Sequence, residues 1–155
     1  MLRVTDQYFW NFVFTVFFLV LVVMGVIILD GEAYKNPDDL DVFDFVLIVL
    51  ATWRLVRLFV YDTNLKFLRE QFWNARKTKT GYILEKPQTG PRRTLADLFS
   101  CPWCVGVWAG AVVTFCYLLT PIFFYPILLL GVAAVASFLQ IFSNLVGHQA
   151  ERLKE

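Results

Sequence analysis

The stretch FWNFVFTVFFLVLVVMGVIIL, residues 9–29, decides the fold class. No charge falls between Asp6 and Asp30. At 1.5 Å per residue, about twenty helical residues cross a hydrocarbon core of roughly 30 Å. A cleaved signal peptide has a shorter apolar core of about 7–15 residues and small residues at its exit. This segment ends Ile27-Ile28-Leu29-Asp30-Gly31 and reads as a signal anchor that stays.

Three more apolar runs follow, at about 42–61, 101–119 and 122–146. The composition agrees: 58% of the 155 residues are hydrophobic and 17% are charged. Soluble domains carry about 45–50% apolar and about 25% charged residues. Mean hydropathy is +0.59. The expected fold is an all-α membrane protein, a bundle of four transmembrane helices forming a single domain over residues 1–155. A net charge of +1 points to no nucleic acid or acidic substrate. Three cysteines are too few for a disulfide framework.

Lysine and arginine set the orientation. Lys66, Arg69, Arg76, Lys77, Lys79, Lys86, Arg92 and Arg93 crowd between the second and third runs, while Lys35 is alone between the first two. Positive charge stays inside. The 62–100 loop and both termini are therefore expected in the cytoplasm, with the chain in the cell (inner or cytoplasmic) membrane. Within the loop, Leu65, Leu68 and Phe72 fall at i, i+3 and i+7 among basic residues. That spacing predicts a short amphipathic helix on anionic inner-leaflet lipids, which the 62–93 segment would contact. Gly81 to Pro91 reads as an irregular connection, and Thr94-Leu95-Ala96-Asp97 as a capping box.

Cys101-Pro102-Trp103-Cys104 is the most specific chemical feature. Two thiols at a helix start sit where the dipole and free N–H groups favour a thiolate. Pro102 suits the first helical position, where its missing N–H costs nothing. The pair serves dithiol oxidoreductases, and it is also half of a tetrahedral zinc site. His148 is the candidate third ligand, with Asp97 also nearby. Cys116 lies twelve residues further along the same helix, roughly 18 Å away, and cannot join.

Arg54 and Arg57 share a face of the second run. They point either into the bundle or, by snorkelling, to lipid phosphates. Asp44 is too far along the helix to pair with them. On the fourth run Ser137, Gln140, Asn144 and His148 form a polar stripe that is expected to face the bundle interior, continued by Arg152. Gly106 and Gly110 form a GxxxG that suits either a neighbouring helix or a homo-oligomer. Together these features predict a small polar pocket at the cytoplasmic helix ends, holding the cysteine pair, Arg54, Arg57, Asn144 and His148.

The segment Ala51-Thr-Trp-Arg-Leu-Val-Arg-Leu58, then Asp62, a basic spacer, and Leu98-Phe-Ser-Cys-Pro-Trp-Cys104 with Trp108 resembles a known family. It is that of uncharacterised bacterial and phage membrane proteins, domain-of-unknown-function family thirteen-sixty, over about residues 42–120. The resemblance marks Arg54, Arg57, Asp62, Cys101, Cys104 and Trp108 as positions of interest and carries no activity. The first helix lies outside the family's usual extent. Three functions compete. One is a structural or partner-binding membrane protein. A second is a thiol oxidoreductase, loosely like four-helix membrane enzymes that couple a CxxC to a quinone. The third is a small zinc-binding membrane protein. Transport ranks below these, since there is no inverted repeat and no chain of intramembrane carboxylates.

Overall fold

The computed structural model describes residues 6–78 and 81–152. Its helices are α1 (Asp6–Glu32), α2 (Val42–Val60), α3 (Lys66–Glu70), α4 (Pro91–Ser100), α5 (Pro102–Leu119) and α6 (Phe124–Arg152). A hairpin of β1 (Asn74–Thr78) and β2 (Gly81–Glu85) lies between α3 and α4. Local chemistry places the boundaries. Asp41 caps α2 in a reciprocal box with Asp44, each side chain meeting the other's end of the first turn. Pro91 and Pro102 open α4 and α5, where a proline leaves no amide unpaired. Gly90, at φ +98°, makes the turn into α4 that a side chain would resist.

Three helical stretches are long and apolar enough to cross a membrane: Asp6–Glu32, Pro102–Leu119 and Pro121–Arg152. The fourth expected span, α2, forms as a helix of 19 residues but carries Asp44, Arg54 and Arg57. The structure thus gives three strong candidates, and α2 stands apart from them by charge.

The helices form a row, α1 beside α5, α5 beside α2, and α2 beside α6, with little contact between α5 and α6. A closed bundle was the expectation. The row arises because both neighbours present glycines to α2. On one side, Gly106 and Gly110 of α5 would set a Cβ 3.8 Å from Val56 and 3.7 Å from Thr52. The GxxxG is therefore seated on α2 of the same chain. On the other side, a Cβ at Gly131 of α6 would come within 2.7 Å of a Leu47 methyl. Leu47, Ile48, Ala51, Val113, Tyr117, Leu118 and Ile127 make the core. No residue of α1 is buried. It leans on α5 through Phe18 and Trp108, whose rings are 4.7 Å apart, and through Gly25 against Phe115.

Asp44 ties the row together at one end. Its carboxylate is buried and accepts from the Lys35 ammonium, from the Tyr117 hydroxyl at 2.5 Å and from the Asp41 amide at 3.0 Å. The Tyr34 and Lys35 amides donate to the Leu118 carbonyl at 2.9 and 3.2 Å, covering the end of α5. One side chain thus joins the 33–41 loop, α2 and α5.

At the other end the polar segment is folded, and here three expectations are corrected. The amphipathic helix is a single turn, α3, because Phe72 leaves the helical path to stack on Phe99 of α4 at 5.3 Å; Phe99 also meets Phe59 of α2 at 5.9 Å. The connection expected to be irregular from Gly81 contains β2, so the fold is not purely α-helical. Arg69 donates to the Phe59 carbonyl at 3.1 Å and to that of Val60, closing the end of α2. Asp97 accepts from Lys86 at 2.9 Å and Arg93 at 2.7 Å, fastening the hairpin's exit to α4. Burial raises the Asp97 carboxyl, yet these two hydrogen bonds outweigh it and hold the group below the usual carboxylate range. Thr94 is not a cap. It lies inside α4, buried, accepting from Gln7 at 2.9 Å and donating to Asn11 at 3.1 Å, which anchors α1.

Three substitutions test this frame by thermal or denaturant unfolding in micelles. Tyr117→Phe removes one hydrogen bond to a charged group and should cost about 1.5–3 kcal/mol. Asp44→Ala also removes the Lys35 contact and the N3 half of the α2 capping box, and a cost no larger than that of Tyr117→Phe would contradict the central place given to Asp44. Gly131→Ala forces Leu47 aside and should destabilise by about 1–3 kcal/mol, as overpacking does.

Candidate functional site

The antiparallel register of α2 and α5, with Gly106 at Val56 and Gly110 at Thr52, sets the start of α5 beside the end of α2. The cysteine pair and the arginines therefore share one end of the molecule. Cys101 is the N-cap of α5, extended at φ −110°, ψ 107°. Its sulfur accepts from the Cys104 amide at 3.4 Å and from the Cys104 thiol at 2.8 Å. All three cysteines are free; Cys104 is exposed, and Cys101 and Cys116 are half-buried. Trp103 between the pair is 85% exposed.

Arg54 finds a carboxylate. It pairs with Asp62 at 3.1 Å, two turns further on, after the helix has ended. The Asp62 amide donates to the Arg57 carbonyl at 2.9 Å, which fixes the carboxylate's place. Arg57 lies between two aromatic rings of its own helix, 5.5 Å from Trp53 and 5.9 Å from Tyr61, a cation–π arrangement. Its Nε is buried without a hydrogen-bond partner, as is the Trp73 indole N–H nearer the hairpin.

The fourth-helix stripe does not join them. Ile127, Gly131 and Ala134 form the buried face of α6. Gln140 follows Gly131 by nine residues, about two and a half turns, and so falls on the opposite side. From Phe138 to Arg152 every residue of α6 is exposed. Gln140 donates to Asn144 at 3.1 Å, Ser137 turns back to its own Ala133 carbonyl at 2.6 Å, and His148 lies 3.7 Å from Glu151. The expected pocket is divided: Cys101, Cys104 and the arginines lie at the shared end of α2 and α5, and Asn144 and His148 on the exposed length of α6. Among the described residues no group of three His, Cys, Asp or Glu side chains could hold a metal, so the set Cys101, Cys104 and His148 is not assembled.

The sequence reading missed the Lys35–Asp44–Tyr117 cluster. Its signal was present in Asp41-x-x-Asp44, acidic residues at both ends of a first helical turn after a Pro37 turn. A second feature was not legible. An apolar groove of about 560 Å³ runs between α1 and α5, lined among others by Phe18, Val22, Gly25, Trp108, Ala111 and Phe115. Cys104 precedes Trp108 by one helical turn, so the pair sits on the same side of α5 as this groove.

A UPF0713 protein, YngL, of Bacillus subtilis (strain 168) is 30% identical over 112 residues, 71% of this chain and 83% of its own length. The sporulation protein YjcA of the same organism is 36% identical over 102 residues, 61% of this chain and 86% of its own. No solved structure matches. A family described as "Protein of unknown function (DUF1360)" matches residues 47–143, from early α2 through the buried part of α6, leaving α1 outside. By that match over more than half its length, and by its likeness to YngL, the chain belongs to this family.

Proposed function

We propose that the chain is a multi-pass protein of the cell (inner or cytoplasmic) membrane, crossing four times through α1, α2, α5 and α6. Both termini and the 62–100 segment lie in the cytoplasm, and the main task is to bind a partner within the bilayer. The fourth crossing is supported by the state of the charges in α2. Asp44 has three donors and Arg54 has a carboxylate, while Arg57 lies within a turn of the helix end. Paired charges near helix ends cost far less in a membrane than a bare charge at its centre. Basic residues of the 62–93 segment then meet anionic inner-leaflet lipids.

One observation carries the partner-binding reading. The second half of α6 stands clear of its own chain, and it exposes Gln140 and Asn144 among Phe138, Leu139, Ile141, Phe142 and Leu145. The parallel packing of α6 on α2, Gly131 against Leu47, sets Asn144 level with the end of α2, so both amides lie in or at the edge of the span. An amide in lipid needs a partner. Because an amide both donates and accepts, two copies of this face complement each other about a two-fold axis, and the occupant is a second copy of the chain. The name of the relative called a sporulation protein makes sporulation the first setting for a wider partner search.

Disulfide trapping in native membranes is the test, with Cys101, Cys104 and Cys116 replaced by Ser. Asn144→Cys should give a covalent dimer, and Val112→Cys on exposed α5 should not. Replacing Gln140 and Asn144 together by Leu should weaken association by about 1 kcal/mol per amide. A monomer throughout, or equal trapping at both positions, would remove the self-association. A C-terminal alkaline phosphatase fusion active outside the cell would remove the proposed topology.

A further inference from the structure

We infer that Cys101 and Cys104 form a working dithiol that reduces disulfides by thiol–disulfide exchange at the membrane surface. The inference stands on α5 alone and does not depend on the α6 contact. Two hydrogen bonds, from the Cys104 amide and the Cys104 thiol, both end on the Cys101 sulfur. That sulfur is also the N-cap of an 18-residue helix, so the free N–H groups and the helix dipole add to the same preference for negative charge there. The division of roles follows from the backbone: the Cys104 amide and the helix N-terminus favour negative charge on Cys101, which makes it the attacking sulfur and Cys104 the resolving one.

The two sulfurs lie 2.8 Å apart, and a disulfide bond is about 2.05 Å long, so ring closure needs a movement of under about 1 Å. Pro102 at the first helical position holds the backbone of the loop between them in the required turn. Cys104 is open to solvent, and Trp103 offers a large exposed apolar face beside the pair, suited to a protein or peptide segment carrying a disulfide. Cys116 has none of this geometry. It is half-buried in the middle of α5.

The step balances with a disulfide R–S–S–R as co-reactant. The Cys101 thiolate attacks one sulfur, the S–S bond breaks, and the first R–S⁻ leaves to take up a proton. The mixed disulfide Cys101–S–S–R remains. Cys104 loses its proton and displaces the second R–S⁻, forming the Cys101–Cys104 disulfide. Two protein thiols are oxidised, one substrate disulfide is reduced, and two electrons pass. In a reducing compartment the resting state is the dithiol, and oxidised forms there are transient, as in catalytic or sensing pairs. A low-molecular-weight dithiol or a thioredoxin-type reductant would restore it.

The experiment uses the full chain in lipid nanodiscs with Cys116→Ser, equilibrated in reduced and oxidised glutathione, acid-quenched and tagged with a mass-shifting maleimide. The expected result is the loss of both tags together, reversibly, as the buffer becomes oxidising. Cys104→Ser should accumulate a one-to-one glutathione adduct at Cys101. Cys101→Ser should react at Cys104 at least about tenfold more slowly, since it lacks the accepting cap sulfur's surroundings. Trp103→Ala should slow exchange with an apolar peptide disulfide and leave exchange with oxidised glutathione unchanged. Two tags retained across the whole range would overturn the inference. So would tags lost one at a time, with equal rates at the two cysteines. Because the single variants keep a thiol for labelling, circular dichroism of the same samples separates misfolding from loss of chemistry.

Discussion

A buried carboxylate must be satisfied or it will not stay charged, and the rest of this structure hangs on how Asp44 is satisfied. Its three donors come from three places: Lys35 in the 33–41 loop, Tyr117 near the end of α5, and the Asp41 amide at the start of α2. Hydrogen bonds to an ionised group are about twice as strong as neutral ones, and an unpaired charge in an apolar setting is costly. The cluster therefore fixes the angle and depth of α2 against α5. Since α2 and α5 are the two central helices of the row, that one junction positions the middle of the molecule. The far end is held by different means, carbonyls capped by Arg69 and rings stacked through Phe59, Phe99 and Phe72.

The charges of α2 explain why the least apolar of the long helices sits at the centre of the row. Asp44, Arg54 and Arg57 could not face lipid without a large penalty. Placed between two neighbours and near its ends, the helix gives each of them a partner or a short route to water. Arg54 reaches Asp62 beyond the last turn, and the ring pair Trp53 and Tyr61 shelters Arg57. The small residues that flank α2, Gly106, Gly110 and Gly131, are what allow the close approach.

Apolar run length made α1, α5 and α6 legible from sequence, since it depends only on residues adjacent in the chain. The end of the molecule shared by the cysteines and arginines was legible for the same reason, because alternating runs place them together. The side of α6 that faces inward was not. Both the Gly131 and the Gln140 faces could be argued inward, and the choice depends on the shape of α2, which no local pattern reveals. The hairpin was hidden because Asn74–Thr78 is polar on both faces and carries no clear alternation. Asp44 was read only against Arg54 and Arg57, on its own helix. Its true partners, Lys35 and Tyr117, lie on other elements.

A row of helices has two edges, and these two are unlike. The α1 edge is apolar along its length, with no buried residue, and meets α5 across a groove lined almost wholly by hydrocarbon. Lipid chains fill such a face without loss, because they are as apolar as the side chains they replace. The α6 edge carries amides on the same kind of surface, where lipid offers no hydrogen bond and a protein helix does. The family match covers α2 to Ser143 and omits α1. Of the two amides, Gln140 lies inside the matched stretch and Asn144 one residue beyond it, while the whole α1 edge lies outside. At one end of α5, between these edges, Cys104 is exposed and Cys101 half-buried.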